Sequence, residues 1–285
     1  MLENFEKYLY QTVFPITQPE TIYHYTTQKG ILGIIPPRAI WATQVHFLND
    51  KNEVFLTFKL LEKELRRLVG TSQSPQHRSL LNEIRHSLSN VDQTHICTVS
   101  FCESGDLLSQ WRGYAAQGKG YALGFDLQTL SNTAKQQNFV VWPCVYNPTL
   151  QLELVNYLID CWIQKFSSLQ FDHGIMIDEI NASFCKLAPI IKDESFIEEQ
   201  EWRLISSVTG VEKNMAFREG AFSLIPYLNF SLLDQNDGRE CFKKIVVGPS
   251  PHTDLAMNSL TMFLKKNKLS NVDVVCSRIP FRNWK

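Results

Sequence analysis

Short β-branched or aromatic runs alternate with amphipathic stretches from one end of the chain to the other, and no Pro-, Gly- or Ser-rich linker divides them. That alternation demands a sheet with helices packed on it. Thr21 to Tyr25, Ala39 to Thr43, His95 to Phe101, Tyr121 to Phe125, Val140 to Tyr146 and Trp202 to Val208 read as strands. Further strands are expected near 216–232, at Lys244 to Val247 and at 272–276. Helices are expected over 2–14, from Thr26 or Thr27 through Ile35, and from Asn49 along the face Val54, Phe55, Phe58, Leu61, Leu65, Leu68. Others fall at about 77–89, Ser104 to Tyr114, 149–169, 176–191 and 254–267. The expectation is one α+β domain over 1–285, with a mixed central β-sheet, helices packed around it and a helical insertion at about 149–191.

Composition bounds the function. Apolar residues make up 44%, with 18 Phe, 9 Tyr and 6 Trp, so the chain buries a core and general disorder is excluded. Lys plus Arg number 28 against 29 for Asp plus Glu, which leaves no global basic field to attract nucleic acid. The 7 cysteines are odd in number, scattered and never spaced C-x-x-C, so they read as reduced thiols of a cytoplasmic protein. The N-terminus lacks a basic stretch followed by an apolar one, and no apolar window is long enough to span a membrane. Phosphate-loop, Rossmann, zinc-protease and nucleophile-elbow motifs are all missing.

Four segments set polar groups inside apolar runs. Tyr23-His24-Tyr25-Thr26 offers an imidazole on a strand; the plain alternative is a histidine satisfied by a neighbouring carbonyl. Asn49-Asp50-Lys51-Asn52-Glu53 has the spacing of a helix cap, which accounts for it alone. Ser100 through Tyr114 carries Asp106, Gln110 and Tyr114 on one helical stripe and Trp111 beside it, with glycines at 118 and 120; its aromatics suit a flat ring or an ordinary core. In Glu198-Glu199-Gln200-Glu201-Trp202-Arg203, alternation puts Glu199, Glu201 and Arg203 on one strand face. Those charges suit a solvated edge, or a site where a carboxylate meets a sugar cation and a guanidinium grips phosphate.

With these residues in view, the chain resembles a widespread, uncharacterised bacterial domain family. The resemblance lies in Ile22-Tyr-His24-Tyr-Thr26, Phe47-Leu-Asn49-Asp50, Val99-Ser100-Phe101, Leu108-Ser109-Gln110-Trp111-Arg112-Gly-Tyr114, Gly120 to Phe125, Glu199-Gln-Glu201-Trp-Arg203, Ile245-Val-Val-Gly248-Pro249 and Cys276 to Arg282. The opening strand and short helix also resemble the ADP-ribosyltransferase fold and its split sheet. That resemblance implies NAD as substrate, His24 and Glu201 as the catalytic residues, with His24 and Ser100 at the NAD contacts, and Trp111 or Tyr114 against the nicotinamide. It adds Glu199 as partner acid, while His24 stands where the arginine-modifying branch has Arg. Tyr25, Thr26, Asn49, Asp50, Gln110 and Arg203 complete the expected cofactor-binding set.

The implied activity is an NAD-consuming ADP-ribosyltransferase, or an NAD glycohydrolase, in a bacterial toxin or phage-defence effector. Its acceptor is open: protein, nucleic acid, small molecule or water. The rivals are a non-catalytic nucleotide- or partner-binding module of a defence or toxin–antitoxin system, a structural protein whose charges are only caps and edges, and a metal nuclease built on Asp50, Glu53 and Asp106. The 149–191 helices are either a cap over the sheet or a protein-partner surface.

Overall fold

A computed structural model describes residues 2–48, 53–88, 96–115, 119–167, 172–207 and 211–280. In chain order the elements are α1 (Leu2–Val13), β1 (Thr21–Thr26), α2 (Gln28–Ile34), β2 (Ala39–Gln44), α3 (Glu53–Thr71), α4 (Pro75–Leu88), β3 (Cys97–Cys102), α5 (Leu108–Gly113), β4 (Tyr121–Asp126) and α6 (Leu127–Gln136). There follow β5 (Phe139–Pro143), α7 (Pro148–Phe166), α8 (His173–Leu187), β6 (Glu201–Ser206), α9 (Val211–Asn214), β7 (Ala216–Glu219), β8 (Leu224–Ser231), β9 (Phe242–Val247), α10 (Thr253–Lys266) and β10 (Asp273–Cys276). The architecture is α+β around an open, mixed sheet of ten strands, in the order β10-β9-β4-β1-β3-β2-β8-β7, with β6 on β3 and β5 on β6. Every strand pairing is antiparallel except β9 with β10.

The sheet forks at β3. A strand has two hydrogen-bonding edges, and β6 takes one of them along Thr98 to Cys102. Both β2 and β1 must therefore share the other. β2 holds Cys97 and Thr98, while β1 touches only Cys102, through Tyr23. Among the described residues, Val99, Ser100 and Phe101 are left between them with no strand partner on that edge. Ser100 is accordingly exposed in mid-strand, where the residues on either side are buried.

Alternation along the strands sorts the side chains into two faces. One face presents Ile22, Ile40, Ala42, Val99, Phe101, Leu123, Trp202, Leu204 and Phe230, which pack against α2, α6 and α10 through Ile31, Leu130, Leu260 and others. The second face is covered in two separate patches. The helices α1, α3, α4, α7 and α8 build one core with Val45 and Ile205. Around α5, Trp111 and Ala115 pack with Tyr25, Cys102, Ala122 and Val246. Each fully buried Leu, Ile or Phe in these cores contributes about 1.5–3 kcal/mol. The expected insertion at 149–191 is thus a helical cap over this second face, and α7 and α8 carry it.

Several local expectations are corrected. The helix after Gly105 starts at Leu108, so Asp106 is not on a helical stripe with Gln110 and Tyr114. Instead Asp106 accepts from Trp111 Nε1 at 2.8 Å, Ser277 Oγ at 2.5 Å and the Arg278 amide at 2.7 Å, tying the chain's last strand to α5. Helix α3 continues through Gly70 to Thr71, past the expected loop start. Helix α6 was not foreseen; Asp126 caps it by accepting from the Thr129 amide, and Leu127, Leu130 and Ala134 bury one side. Asn49, Asp50 and Gly118 lie outside the described residues.

Candidate functional site

Where β1 and β2 part over β3, the uncovered part of the second face forms a cavity of about 390 Å³ between the two helical patches. A volume near the lower end of the usual ligand-pocket range suits part of a dinucleotide. His24, Tyr25, Ser100, Gln110, Tyr114, Glu199 and Glu201 all line it, and so do Tyr23, Trp41, Thr43, Lys192 and Phe196. Seven of the side chains singled out in the sequence therefore meet in one hollow.

His24 reaches the cavity by an indirect route. By register, Tyr23, Cys102 and Glu201 lie abreast across three strands and share the second face. His24 alternates away from them, opposite Leu123 of the first core. The fork resolves this: the half-buried imidazole turns into the gap, and its Nδ1 meets the unpaired Ser100 carbonyl at 3.0 Å. A carbonyl only accepts, so Nδ1 carries the proton and Nε2 keeps its lone pair in the neutral ring. Burial pushes the imidazole below its ordinary value, against a smaller upward pull from that hydrogen bond, and the neutral form is favoured.

The acidic side of the cavity is a buried ion network. A six-residue 3₁₀ turn, Glu194–Glu199, is capped by Asp193 and closed by Gln200 in the left-handed region at φ 41°. This turn delivers Glu199 and, two residues later, Glu201 at the start of β6. Lys192 donates to both carboxylates. Arg203 Nε and Nη2 donate to Glu201 at 2.7 and 3.0 Å, and Nη1 donates to the Pro189 carbonyl at 2.7 Å. Glu201 is 4% exposed and Arg203 1%. Burial alone would raise the Glu201 carboxyl, but Arg203 and Lys192 outweigh it and hold the group well below the usual carboxylate range. Burial likewise works against the Lys192 ammonium, and Glu201 reverses it, so the net shift is upward. The two acids and two bases cancel, as a buried network must if it is to persist.

Some expected residues are placed elsewhere. Arg203 faces the Glu201 carboxylate and the Pro189 carbonyl, and does not line the cavity, so the expected grip on phosphate has no geometric counterpart there. Trp111 is fully buried, edge-on to Tyr25 at 4.8 Å, and a core aromatic; of the two ring candidates only Tyr114, 44% exposed, faces the cavity. Thr26 is buried, with its side chain against Gly30 and its carbonyl 2.2 Å from where a Cβ on Gly120 would sit. Gly120 thus admits a neighbouring strand, not a ligand. Tyr25 lines the cavity, but its hydroxyl donates to the Ser104 carbonyl and accepts from the Leu107 amide, both at 2.9 Å. Among the described residues no three His, Cys, Asp or Glu side chains gather to hold a metal, and Asp106 is already occupied. Lys192 was missed: a lone lysine closing the apolar run Ala188-Pro-Ile-Ile191 was its only signal.

Residues 110–204 match the model of a family described as "Protein of unknown function (DUF2971)". The chain carries a domain of unknown function. That agrees with the uncharacterised domain family its motifs resemble. The matched third supplies Gln110, Tyr114, Lys192, Phe196, Glu199 and Glu201 to the cavity, while His24 and Ser100 lie outside it. No curated protein and no solved structure matches the chain.

Proposed function

We propose that the cavity binds NAD and that the protein cleaves its nicotinamide–ribose bond, passing ADP-ribose to an acceptor or to water. One observation carries the reading: His24, Ser100, Tyr114, Glu199 and Glu201 converge on one hollow at the fork of the sheet. In the reaction the C–N bond breaks, nicotinamide leaves with the electron pair, and positive charge builds on the ribose. Fixed carboxylates facing that charge favour the transition state over the ground state. Glu199, with a side chain 16% exposed against 4% for Glu201 and, among the described residues, bound to Lys192, is the more open of the two. Glu201 anchors the network beneath it. Tyr114 offers a ring face to the nicotinamide, and His24 Nε2 accepts from a ribose hydroxyl. Seven free thiols, most of them buried, fit the cytoplasmic setting in which NAD is plentiful. A bacterial toxin or defence effector, the setting that the resemblance implies, would act by consuming it.

Chromatography of NAD incubated with the full chain tests this. The wild type releases nicotinamide, and Glu199→Gln releases it about a hundredfold more slowly, the scale on which removing one fixed transition-state contact acts. Equal release by both proteins removes Glu199 from the chemistry. A second reading, a nucleotide-binding module without turnover, is favoured by the fact that both Glu201 oxygens are already bonded. Its signature is a melting temperature that rises with NAD while nicotinamide stays bound in the dinucleotide.

A further inference from the structure

We propose that Arg218, which stands beside this cavity against two of its walls, is the residue that grips phosphate, and that the ligand is accordingly a phosphorylated nucleoside rather than a bare nucleoside or sugar. The proposal rests on the nucleotide reading above and adds the group that Arg203 does not supply. Cross-strand register sets Ala216, Tyr227, Thr43 and Thr98 abreast on the cavity face of β7, β8, β2 and β3. Arg218 lies two residues beyond Ala216 and so shares that face, while Glu219 alternates to the other. Its backbone is paired with Ile225, yet its side chain leans back over β8 toward the hollow. There Nη2 donates to Thr43 Oγ1 at 3.3 Å, and the guanidinium lies 5.8 Å from the centre of the Trp41 ring. Thr43 and Trp41 are both cavity walls, and Arg218, which touches both, does not itself line the cavity; a hollow that suits only part of a dinucleotide leaves the rest of the ligand to reach past these walls. Trp41 is itself braced by Tyr227 at 4.7 Å.

The guanidinium is placed but not neutralised. Among the described residues no carboxylate pairs with it, and its Nε is sealed from solvent with no hydrogen-bond partner. Among the described residues Lys192 is the one cation that lines the cavity, and it is bound to Glu199 and Glu201; Arg203, outside the lining, is bound to Glu201. A charged fork held against an aromatic face, with donors to spare, matches the oxygen geometry of a phosphate. Thr43 and Trp41 act as positioning residues that hold it there.

The test is calorimetric binding of two probes, NAD and nicotinamide riboside, to the full chain and to Arg218→Gln, with melting curves confirming that both are folded. The expected result is a loss of about tenfold or more in NAD affinity with riboside affinity unchanged, the scale of one charge-assisted contact. Arg218→Lys, which keeps the charge but not the fork, falls between the two and serves if the Gln variant does not fold. NAD affinity unaltered by either substitution overturns the assignment of Arg218 while leaving the nucleotide reading intact. An equal loss for NAD and riboside overturns it too, since the arginine would then shape the wall and not grip phosphate. A wild type that binds neither probe defeats the nucleotide reading and this inference with it.

Discussion

Glu201 lies between Lys192 and Arg203 at 4% exposure, so taking its charge away strands two buried cations. Glu201→Gln should lower the unfolding free energy by about 3–5 kcal/mol, the usual cost of breaking a buried ion network from one side. Urea denaturation reads this directly, and a loss below about 1 kcal/mol, the scale of an exposed pair, would contradict the network. Glu199→Gln leaves Lys192 its bond to Glu201 and should cost much less. The sign of the pH dependence follows from the same geometry. The folded Glu201 carboxyl titrates below its unfolded counterpart, so its stabilisation is complete above the unfolded value of 4.5 and is lost as acid approaches the folded one. His24 acts in the same direction one step higher: its folded value is depressed below 6.5, so its contribution is full above 6.5 and falls as the pH drops toward the folded value. An NMR titration should place the His24 midpoint below 6.5; a midpoint above it would mean that a charged imidazole donates from both nitrogens, and the free Nε2 lone pair would be lost.

At the scale of elements, most strands were legible because short runs of β-branched and aromatic residues mark them, as in Thr21–Thr26 and Ala39–Gln44. The Thr27 cap was legible too, its hydroxyl accepting from the Gly30 amide at 3.1 Å. Helix α6 was not, because Leu127-Gln-Thr-Leu-Ser-Asn-Thr is poor in strong helix formers and its stability comes from a cap and a buried side. Asp126→Ala therefore should cost about 1 kcal/mol, and a thermal melt unchanged from wild type would show that packing alone suffices. Gly120→Ala should do more harm. Its Cβ would fall 2.2 Å from the Thr26 carbonyl and 2.9 Å from the Ala115 Cβ, so β1 and β4 would have to part beside the cavity. Hydrogen exchange in β1 should rise sharply in that variant; unchanged protection would mean that the strands shift freely.

The whole molecule explains why the site was only partly legible. Sequence alternation within Glu199–Arg203 foresaw a charged face, and the structure adds that Glu201 and Arg203 are buried there, with Lys192 and the Pro189 carbonyl against them. No local pattern distinguishes an acid that faces solvent from one that faces Lys192, whose position is fixed by chain folding far from β1. The fork is likewise a property of pairing: β3 reads as an ordinary strand, and only the way β1 and β2 share one of its edges opens the gap that His24 enters. Arg218 gave no signal at all, being a single arginine in a short edge strand that becomes notable only when it leans onto Thr43. Trp111 and Arg203 were singled out for their residue types, and the structure puts both in the core. A crystal structure of the full chain soaked with NAD tests the central claim most directly: the nicotinamide ribose should lie in the fork between β1 and β2, within hydrogen-bond reach of Glu199 and His24, whereas a dinucleotide bound elsewhere, or an empty fork at saturating NAD, would contradict it.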